Sequence, residues 1–517
     1  MIISRQSERK EARLSWILVS SYLARGTTLF LPLILTPLIL SRLGIEFYGL
    51  IGTFAIIQSA IALLDLGIVP TVARELAVLR GRNSSASEFH NTLYTIQAVY
   101  FALAAIGFMI GLALSTIVAI YWINSTQMGA NAISVAFAIM CLGATANLIN
   151  GLFSATLMTM GKQLQCNLVS TCLLVLAAFV SAIGLLYFSW GLIEYVSWQT
   201  TASWVTLLIV RHLAWRSIPR HTSAPLFQSS VVVALRKFAT GVSITQVLAT
   251  LSMNMDRILL SRLLPTDIFG YYTLAATLSS SLMGLVYPIL AVASPRLTMA
   301  FHSPDAKFAA NQYHFYSQLV TAAIIPATMT VIFFAEPLLL AWTQNADVVH
   351  YAATPLKILV LGWLFNGLMC IPYATQLAHG LVRLGLYGLA ISLTFQVPAL
   401  LFFIPRYGMD AAAWSWLIIE LSFFLIAIPI MHRRILKGHA SEWYLKDTII
   451  PGISGLIVVS ISFVVFQQLQ QFFEFGRFFV CLYLGISAFL GFLATAISAA
   501  ALRPIAVRLF RKTIGQI

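Results

Sequence analysis

Long apolar runs separated by short polar breaks fill most of this chain. Each run is long enough to cross about 30 Å of hydrocarbon as a helix. Two neighbouring runs are joined only by Ser189–Gly191, so the count is about fourteen. The predicted spans are residues 14–41, 46–69, 92–122, 131–158, 166–188, 192–212, 238–263, 269–294, 316–342, 353–376, 385–404, 410–431, 448–470 and 478–501. The pattern predicts an all-α fold, a polytopic transmembrane helical bundle.

The composition supports a membrane-embedded chain. Of the 517 residues, 59% are hydrophobic and 9% are charged, whereas soluble domains are about 45–50% apolar and about 25% charged. This shortage of charge excludes a soluble enzyme, a disordered chain and a nucleic-acid-binding module as the main body. We therefore expect no nucleic-acid partner.

The distribution of basic residues predicts the orientation. The net charge is +14, from 31 Lys and Arg against 17 Asp and Glu. If both termini are cytoplasmic, 24 of the 31 basic residues lie inside, four lie outside and three fall within spans. Because cytoplasmic loops of membrane proteins are enriched in Lys and Arg, this split predicts a multi-pass protein with N-in and C-in topology.

The longest loop is basic and divides the chain unevenly. It is a predicted cytoplasmic linker, residues 213–237, with six spans before it and eight after it. We expect an N-terminal six-helix lobe at residues 14–212, a C-terminal six-helix lobe at 238–431 and two additional helices at 448–501. The outside loops are short, at about ten residues or fewer, which argues against a periplasmic catalytic domain.

A short internal repeat supports the division into lobes. Ile39–Leu43 reads ILSRL and is followed by Phe47–Gly49, while Leu259–Leu263 reads LLSRL 220 residues later and is followed by Phe269–Tyr272. Both copies lie at the predicted outer end of the first helix of a six-helix block. Repeats of this kind place the substrate site of a transporter between its two halves.

The repeat motif and two further motifs resemble those of a known family. The sequence is similar to the polysaccharide-transport (Wzx-type flippase) branch of the multidrug/oligosaccharidyl-lipid/polysaccharide (MOP) exporter superfamily. The residues that carry the resemblance are Leu40, Leu43-Gly44, Tyr48-Gly49, the LLDLG of Leu63–Gly67, and Asn254, Asp256 and Arg257 of an N-x-D-R sequence. One departure is that Leu263-Leu264-Pro265 replaces the Leu-Gly of the first lobe, which makes the lobes unequal.

The resemblance implies two six-helix lobes around a cavity that opens alternately to each side of the bacterial inner membrane. The implied substrate is a lipid-linked oligosaccharide, moved from the inner to the outer leaflet. Membrane lipids, a proton or Na⁺, a polysaccharide polymerase and a chain-length regulator are the implied partners.

Charges inside predicted spans are the first candidate site residues, because a charge in the hydrocarbon is costly. Arg25 lies near the middle of span 1, and we predict that it binds phosphate, since a guanidinium suits bidentate contact with phosphate. A structural Arg paired at a helix interface is the alternative. Asp256 and Arg257 are about 100° apart on span 7. We predict that Arg257 faces the cavity, or else snorkels outward, and that Asp256 pairs across the bundle with Arg25 as a candidate.

Two carboxylates are candidates for ion coupling together with Asp256. Glu420 lies near the centre of span 12 without a basic residue nearby in sequence, and such a carboxylate can carry a proton. A hydrogen-bonded structural acid is the alternative. Asp65 closes span 2, where a gate and a helix-end role compete.

Three more residues are candidate substrate contacts. Lys357 lies about five residues inside span 10, where snorkelling competes with substrate contact. Asn147 and Asn150 form a polar stripe on span 4, either a sugar-contacting wall or polar contacts between helices.

The sequence lacks the motifs of several other functions. No G-x-x-x-x-G-K-[ST] sequence is present, so ATP coupling within the chain is not expected. The cysteines and histidines show no metal spacing, so we predict no metal, no cofactor and no enzymatic activity. The rival functions are a multidrug or cation antiporter of the same superfamily, a lipid II flippase and, from another class, a membrane polysaccharide polymerase or glycosyltransferase.

Overall fold

The computed structural model describes residues 2–65, 68–82, 84–125, 128–221, 223–473 and 475–504, with their side chains except at 2–19, 21–23, 25, 68, 70–71, 234–245 and 382–383. Over these residues the regular secondary structure is helical, which confirms the predicted all-α class. The chain divides into two compact units, unit 1 at residues 1–270 and unit 2 at 271–517.

Unit 1 is built from seven consecutive helices and the start of an eighth. They are α1 (Ile2–Ala62), α2 (Ile68–Gly81), α3 (Ala86–Ile117), α4 (Ala130–Thr159), α5 (Gln163–Tyr187), α6 (Leu192–Ser217), α7 (Ser229–Leu263) and α8 (Thr266–Ser280). The central helix is α4, whose most apolar stretch is 61% buried, against 22% for α3. Large side chains from α2, α3, α4 and α6 fill the core around it, including Leu76, Tyr100 and Phe153.

Unit 2 contains the remaining helices. They are α9 (Met283–Phe301), α10 (Ala306–Phe333), α11 (Ala335–Thr343), α12 (Ala346–Ala378), α13 (Val382–Tyr407), α14 (Met409–Ser422), α15 (Ile428–Arg434), α16 (Ala440–Glu442), α17 (Ile450–Gln470) and α18 (Arg477–Ser498). The central helices are α10 and α12, at 61% and 67% buried, whereas α13 is only 17% buried. Tyr313 and Trp443 are the largest fully buried side chains of this core.

Eleven described helices are long and apolar enough to cross a membrane, roughly consistent with the predicted fourteen spans. The first of them, Gly26–Asp65, contains a break at Gly44, where φ is 80°. A positive φ is strained for any residue with a Cβ, so glycine permits the break. If the run is divided at Gly44, twelve spans result. The long but more polar helices α6 and α7 bring the count to fourteen. Ser189–Gly191 separates α5 from α6, as predicted.

Within unit 1, the backbones of the two repeat copies lie in direct contact. A Cβ added at Gly49 would lie 2.2 Å from the carbonyl oxygen of Thr266, and one added at Gly270 would lie 2.3 Å from that of Ile45. Only glycine fits at either position without a shift of backbone. The motif glycines therefore let the second half of α1 pack directly on the start of α8.

Candidate substrate and ion-coupling site

The two charges of the N-x-D-R sequence lie on different sides of α7. Ser252, Asp256 and Leu260 form its buried face, whereas Arg257 is half-buried. Arg257 has no ion-pair partner among the side chains that the structure describes. Arg25 lies on α1, but its side chain is outside the described set, and with it the predicted pair between Arg25 and Asp256.

Asn147 and Asn150 lie on the central helix α4 and are both half-buried. The Oδ1 atom of Asn150 is buried and accepts no hydrogen bond from the described part of the chain. Because a buried polar atom without a partner is costly, this oxygen is suited to accept a hydrogen bond from a ligand hydroxyl or a water molecule. Both roles proposed for the asparagine stripe stay predictions.

Asp65 is tied to the neighbouring helices. It ends a short turn after α1, and its Oδ1 accepts a hydrogen bond from the backbone N–H of Val69 at 3.1 Å, in the first turn of α2. The same oxygen accepts a second hydrogen bond from the hydroxyl of Tyr100, a buried residue of α3. Asp65 thus satisfies a backbone N–H in the first turn of α2, so a structural contribution accompanies any role in gating or ion coupling.

Glu420 is the predicted ion-coupling residue that lies in unit 2, and it is buried. Only 6% of its surface is exposed, and its Oε2 accepts a hydrogen bond from Asn366 Nδ2 of α12 at 3.1 Å. Among the described side chains, no Lys, Arg or His lies within ion-pair distance of this carboxylate. Both alternatives from the sequence, ion coupling and a hydrogen-bonded acid, are compatible with this contact.

The packing around Glu420 explains how α12 and α14 come so close. A Cβ at Gly362 would lie 2.3 Å from Cδ1 of Trp416, so the indole covers the bare backbone of α12. Trp416 also packs against Trp363, with ring centroids 5.0 Å apart. One turn after Glu420 the helix widens into a π-helical segment, Phe423–Ala427. Such segments are rare and often lie at functional sites.

Lys357 of α12 forms an ion pair with Glu336 at the start of α11, with Nζ 3.1 Å from Oε1. The two side chains are 38% and 63% exposed. The partner of Lys357, Glu336, is not one of the predicted site residues. An exposed pair of this kind contributes little stability, so Lys357 remains available for exchange with an anionic ligand.

A long apolar groove runs between α13 and the α14–α15 segment. Its volume is about 950 Å³, and Ile391, Phe395 and Ile418 are among its most exposed apolar side chains. Gln396 lies in its wall with only 3% of its surface exposed, and neither amide atom has a hydrogen-bond partner in the described structure. An elongated apolar molecule with a polar group fits this groove chemically.

Sequence reasoning missed Asn366, Tyr100 and the groove. Asn366 and Tyr100 are single polar residues in apolar runs, which is a weak signal, and their partners lie 54 and 35 positions away. The groove depends on which faces of α13 and α14 stay uncovered, and the apolar pattern of the two helices does not show this.

Comparison with known proteins identifies the relatives of this fold. The family model described as polysaccharide biosynthesis protein matches residues 15–301. No curated protein sequence matches the chain. A structure of the lipid II flippase MurJ in an inward closed conformation matches with a TM-score of 0.72 at 13% identity, covering 96% of this chain and 99% of that one.

Two further structures share the fold over a smaller part of this chain. An inward-facing multidrug resistance MATE family transporter of the MOP superfamily has a TM-score of 0.63 at 13% identity, covering 83% of this chain and 98% of that one. A MOP superfamily transporter from Pyrococcus furiosus has a TM-score of 0.56 at 12% identity, covering 83% and 96%. The resemblance predicted from the sequence motifs is confirmed.

Proposed function

Because this chain belongs to the polysaccharide biosynthesis protein family, we propose that it is a flippase for a polyprenyl-pyrophosphate-linked oligosaccharide. The cargo would be the repeat unit of an O-antigen, a capsule or an exopolysaccharide. It would pass from the inner to the outer leaflet by alternating access, with no covalent chemistry on the substrate.

The observation that carries this proposal is the extent of the structural match. The lipid II flippase covers 96% of this chain, whereas the MATE transporter covers 83%. This chain therefore has more structure in common with a transporter of a lipid-linked sugar than with one of drugs. The family match to polysaccharide biosynthesis favours an oligosaccharide repeat unit over lipid II itself.

Each predicted site residue has a role in this proposal. Arg25 and Arg257 would hold the pyrophosphate, since guanidinium groups pair well with phosphate oxygens. Asn147 and Asn150 would contact the sugars, consistent with the unpartnered Oδ1 of Asn150. Lys357 would exchange Glu336 for the anionic headgroup.

The groove between α13 and α14 is a candidate site for the polyprenyl chain. Its wall is mostly apolar, and its polar groups include Asp410, Gln396 and Ser415. A hydrocarbon chain gains nothing by entering a hydrated cavity, so it is expected to stay along apolar surface while the headgroup crosses. The groove gives that chain a mostly apolar surface along the protein.

Ion coupling would reset the carrier. An outward-moving anionic lipid is driven by a negative-inside potential, and inward flow of a proton or Na⁺ would return the empty protein. Glu420 is the leading candidate, since its buried carboxylate has an amide partner and no counter-ion among the described residues. Asp256 and Asp65 are the other candidates.

The proposed setting is the bacterial inner membrane, with both termini in the cytoplasm. A polysaccharide polymerase would consume the exported unit at the outer face, with a chain-length regulator acting on the product. The +14 net charge, concentrated in the predicted inner loops, supports this orientation.

The test uses a strain lacking this chain, complemented with the wild type or with Arg25→Ala, Arg257→Ala or Glu420→Gln. The readouts are surface polysaccharide and lipid-linked repeat units in the inner leaflet. Loss of surface polymer with accumulation of the lipid-linked unit supports the flippase. Normal polymer in the deletion strain with new sensitivity to cationic dyes would support the multidrug antiporter, and arrested peptidoglycan synthesis would support lipid II transport.

A further inference from the structure

A cluster of imidazoles and carboxylates lies in unit 2, where α10, α16 and the π-helical segment Trp443–Ile449 meet. His314 Nε2 and His439 Nδ1 are 2.9 Å apart. Oε2 of Glu442 lies 3.7 Å from the first of these nitrogens and 3.5 Å from the second. Three potential ligand atoms thus form a small triangle with sides of 2.9, 3.5 and 3.7 Å.

The size of this triangle suits a tetrahedral metal ion. Zn²⁺ binds His nitrogen and carboxylate oxygen at about 2.0–2.2 Å, which places neighbouring ligand atoms of a tetrahedron about 3.3–3.5 Å apart. The three sides bracket that value. A set of two imidazoles and one carboxylate is typical of zinc and related transition metals rather than of Mg²⁺ or Ca²⁺.

A buried carboxylate orients one of the imidazoles. Nδ1 of His314 lies 2.5 Å from Oδ2 of Asp447, and the other oxygen of Asp447 accepts a hydrogen bond from Gln318 Nε2 at 2.8 Å. Asp447 and Gln318 are almost fully buried. Donation of the Nδ1–H of His314 to Asp447 leaves its Nε2 lone pair directed at the triangle, as in the carboxylate–histidine–zinc arrangement.

The exposed fraction of the side chains increases from Asp447 to the ligands at the surface. The side chain of Asp447 is 1% exposed and that of His314 13%, whereas those of His439 and Glu442 are 34% and 38% exposed. Lys446 binds the other oxygen of Glu442, Oε1, at 2.9 Å and so leaves Oε2 towards the imidazoles. The triangle therefore has a buried inner side and an exposed outer side.

We propose that His314, His439 and Glu442 form a binding site for a divalent transition metal ion of the Zn²⁺ class, with Asp447 as a positioning residue. Water would complete the tetrahedron on the exposed side. Without the ion, His439 donates its Nδ1 proton to His314, and binding shifts that proton to Nε2 of His439. The site is independent of the proposed transport function.

The ion would link parts of the chain that are distant in sequence. His314 is 125 positions from His439, and Asp447 lies in the π-helical segment that leads into α17. A bound ion would therefore tie α10 to the segment that connects α15 with α17. Because the ion binds the folded arrangement and not the unfolded chain, it should stabilise unit 2.

The test is Zn²⁺ binding to the purified full-length protein, prepared with a histidine-free affinity tag and stripped with a chelator. A chromophoric zinc chelator reports the affinity by competition, and Co²⁺ reports the geometry by its visible absorption. We expect one ion per chain and a tetrahedral Co²⁺ spectrum. Asp447→Asn, which acts through His314, should weaken binding by about 10–100-fold. Loss of a direct ligand in His439→Ala or Glu442→Gln should weaken it at least as much.

The matched control is His302→Ala, because His302 is exposed and, among the described residues, its ring hydrogen-bonds to the carbonyl oxygen of Thr298 at the end of α9. This variant should bind zinc as the wild type does. The side chain of His439 is partly exposed, so its replacement should leave the fold intact. The His439 variant therefore tests the proposal even if changes at buried Asp447 impair folding. Absence of stoichiometric binding to the wild type, or equal affinity in the His439 and His302 variants, would overturn the proposal and leave a hydrogen-bonded cluster only.

Discussion

At the scale of single residues, the environment of Glu420 has the sharpest consequence for transport. Its carboxylate is buried, has Asn366 as an amide donor and lacks a counter-ion among the described side chains. Burying a titratable group in this setting costs free energy, so its presence favours a functional role.

Glu420→Gln removes the charge and keeps the size of the side chain. We expect transport to fall about tenfold or more while the protein level stays unchanged, because the amide cannot carry a proton or balance a cation. The measurement is uptake of a labelled lipid-linked oligosaccharide into the protected leaflet of proteoliposomes. Glu88→Gln is the matched control, since Glu88 is exposed in the first turn of α3 and forms no ion pair within the described part of the chain. Equal rates in the two variants would contradict a coupling role for Glu420.

The residue scale also shows how far the sequence could predict the site. A lone acid in an apolar run is visible in the sequence, so Glu420 was identified. Its partner Asn366 lies on another helix, and only packing brings the two together. In the same way, Lys357 and Glu336 are separately visible as charges near helix ends, but their pairing depends on how α11 folds against α12.

At the scale of helices, the first feature with a testable consequence is the groove between α13 and α14. Ala399 lines it on α13, and Ala399→Trp would fill part of it without adding charge. If the groove holds the polyprenyl chain, this change should lower transport of a long-chain substrate more than that of a short-chain analogue. The measurement is the ratio of the two transport rates in proteoliposomes.

The control for the groove is Ala105→Trp, which places the same bulk on an exposed position of α3 in unit 1. It should leave the ratio of long-chain to short-chain transport unchanged. A ratio that is also unchanged in Ala399→Trp would contradict the groove as the polyprenyl site.

The packing of α1 on α8 leads to a second prediction at this scale. Gly270→Val should destabilise the protein by about 1–3 kcal/mol, because the new side chain overlaps the backbone of α1. The measurement is thermal unfolding in detergent. Gly485→Val on α18 is the control, since a Cβ there meets no atom within 4 Å. Equal midpoints for the two variants would show that α1 and α8 do not pack at these glycines.

The helices themselves were largely predictable because apolar length and polar breaks determine them. Ser189–Gly191 is a three-residue break, and it does separate α5 from α6. The predicted break between residues 41 and 46 contains Gly44, whose positive φ interrupts α1 without any polar loop. The repeated glycines were visible as a motif, but their mutual contact requires the three-dimensional structure.

At the scale of the whole molecule, the distribution of charge leads to a prediction of topology. Gln344, between α11 and α12, is predicted to lie outside, and Lys437, between α15 and α16, is predicted to lie inside. In a cysteine-free background, Gln344→Cys should react with a membrane-impermeant maleimide added to intact cells. Lys437→Cys should react only after the membrane is opened. The background is needed because Cys172 and Cys481 are exposed.

Permeabilised cells provide the control, since both introduced cysteines should then react. The reverse pattern in intact cells would overturn the N-in and C-in orientation. It would also place the cluster of His314, His439 and Glu442 on the outer side, where the available metal ions differ from those of the cytoplasm.

The contact between Gly49 and Gly270 has a consequence for how such a chain can evolve. The two halves carry copies of one short motif, and the copies are each other's packing partners. A duplicated segment is usually free to diverge once its twin retains the original role. Here a larger residue in either copy strikes the backbone of the other, so the two positions share one constraint. Random mutagenesis of both should therefore yield few tolerated replacements at either position.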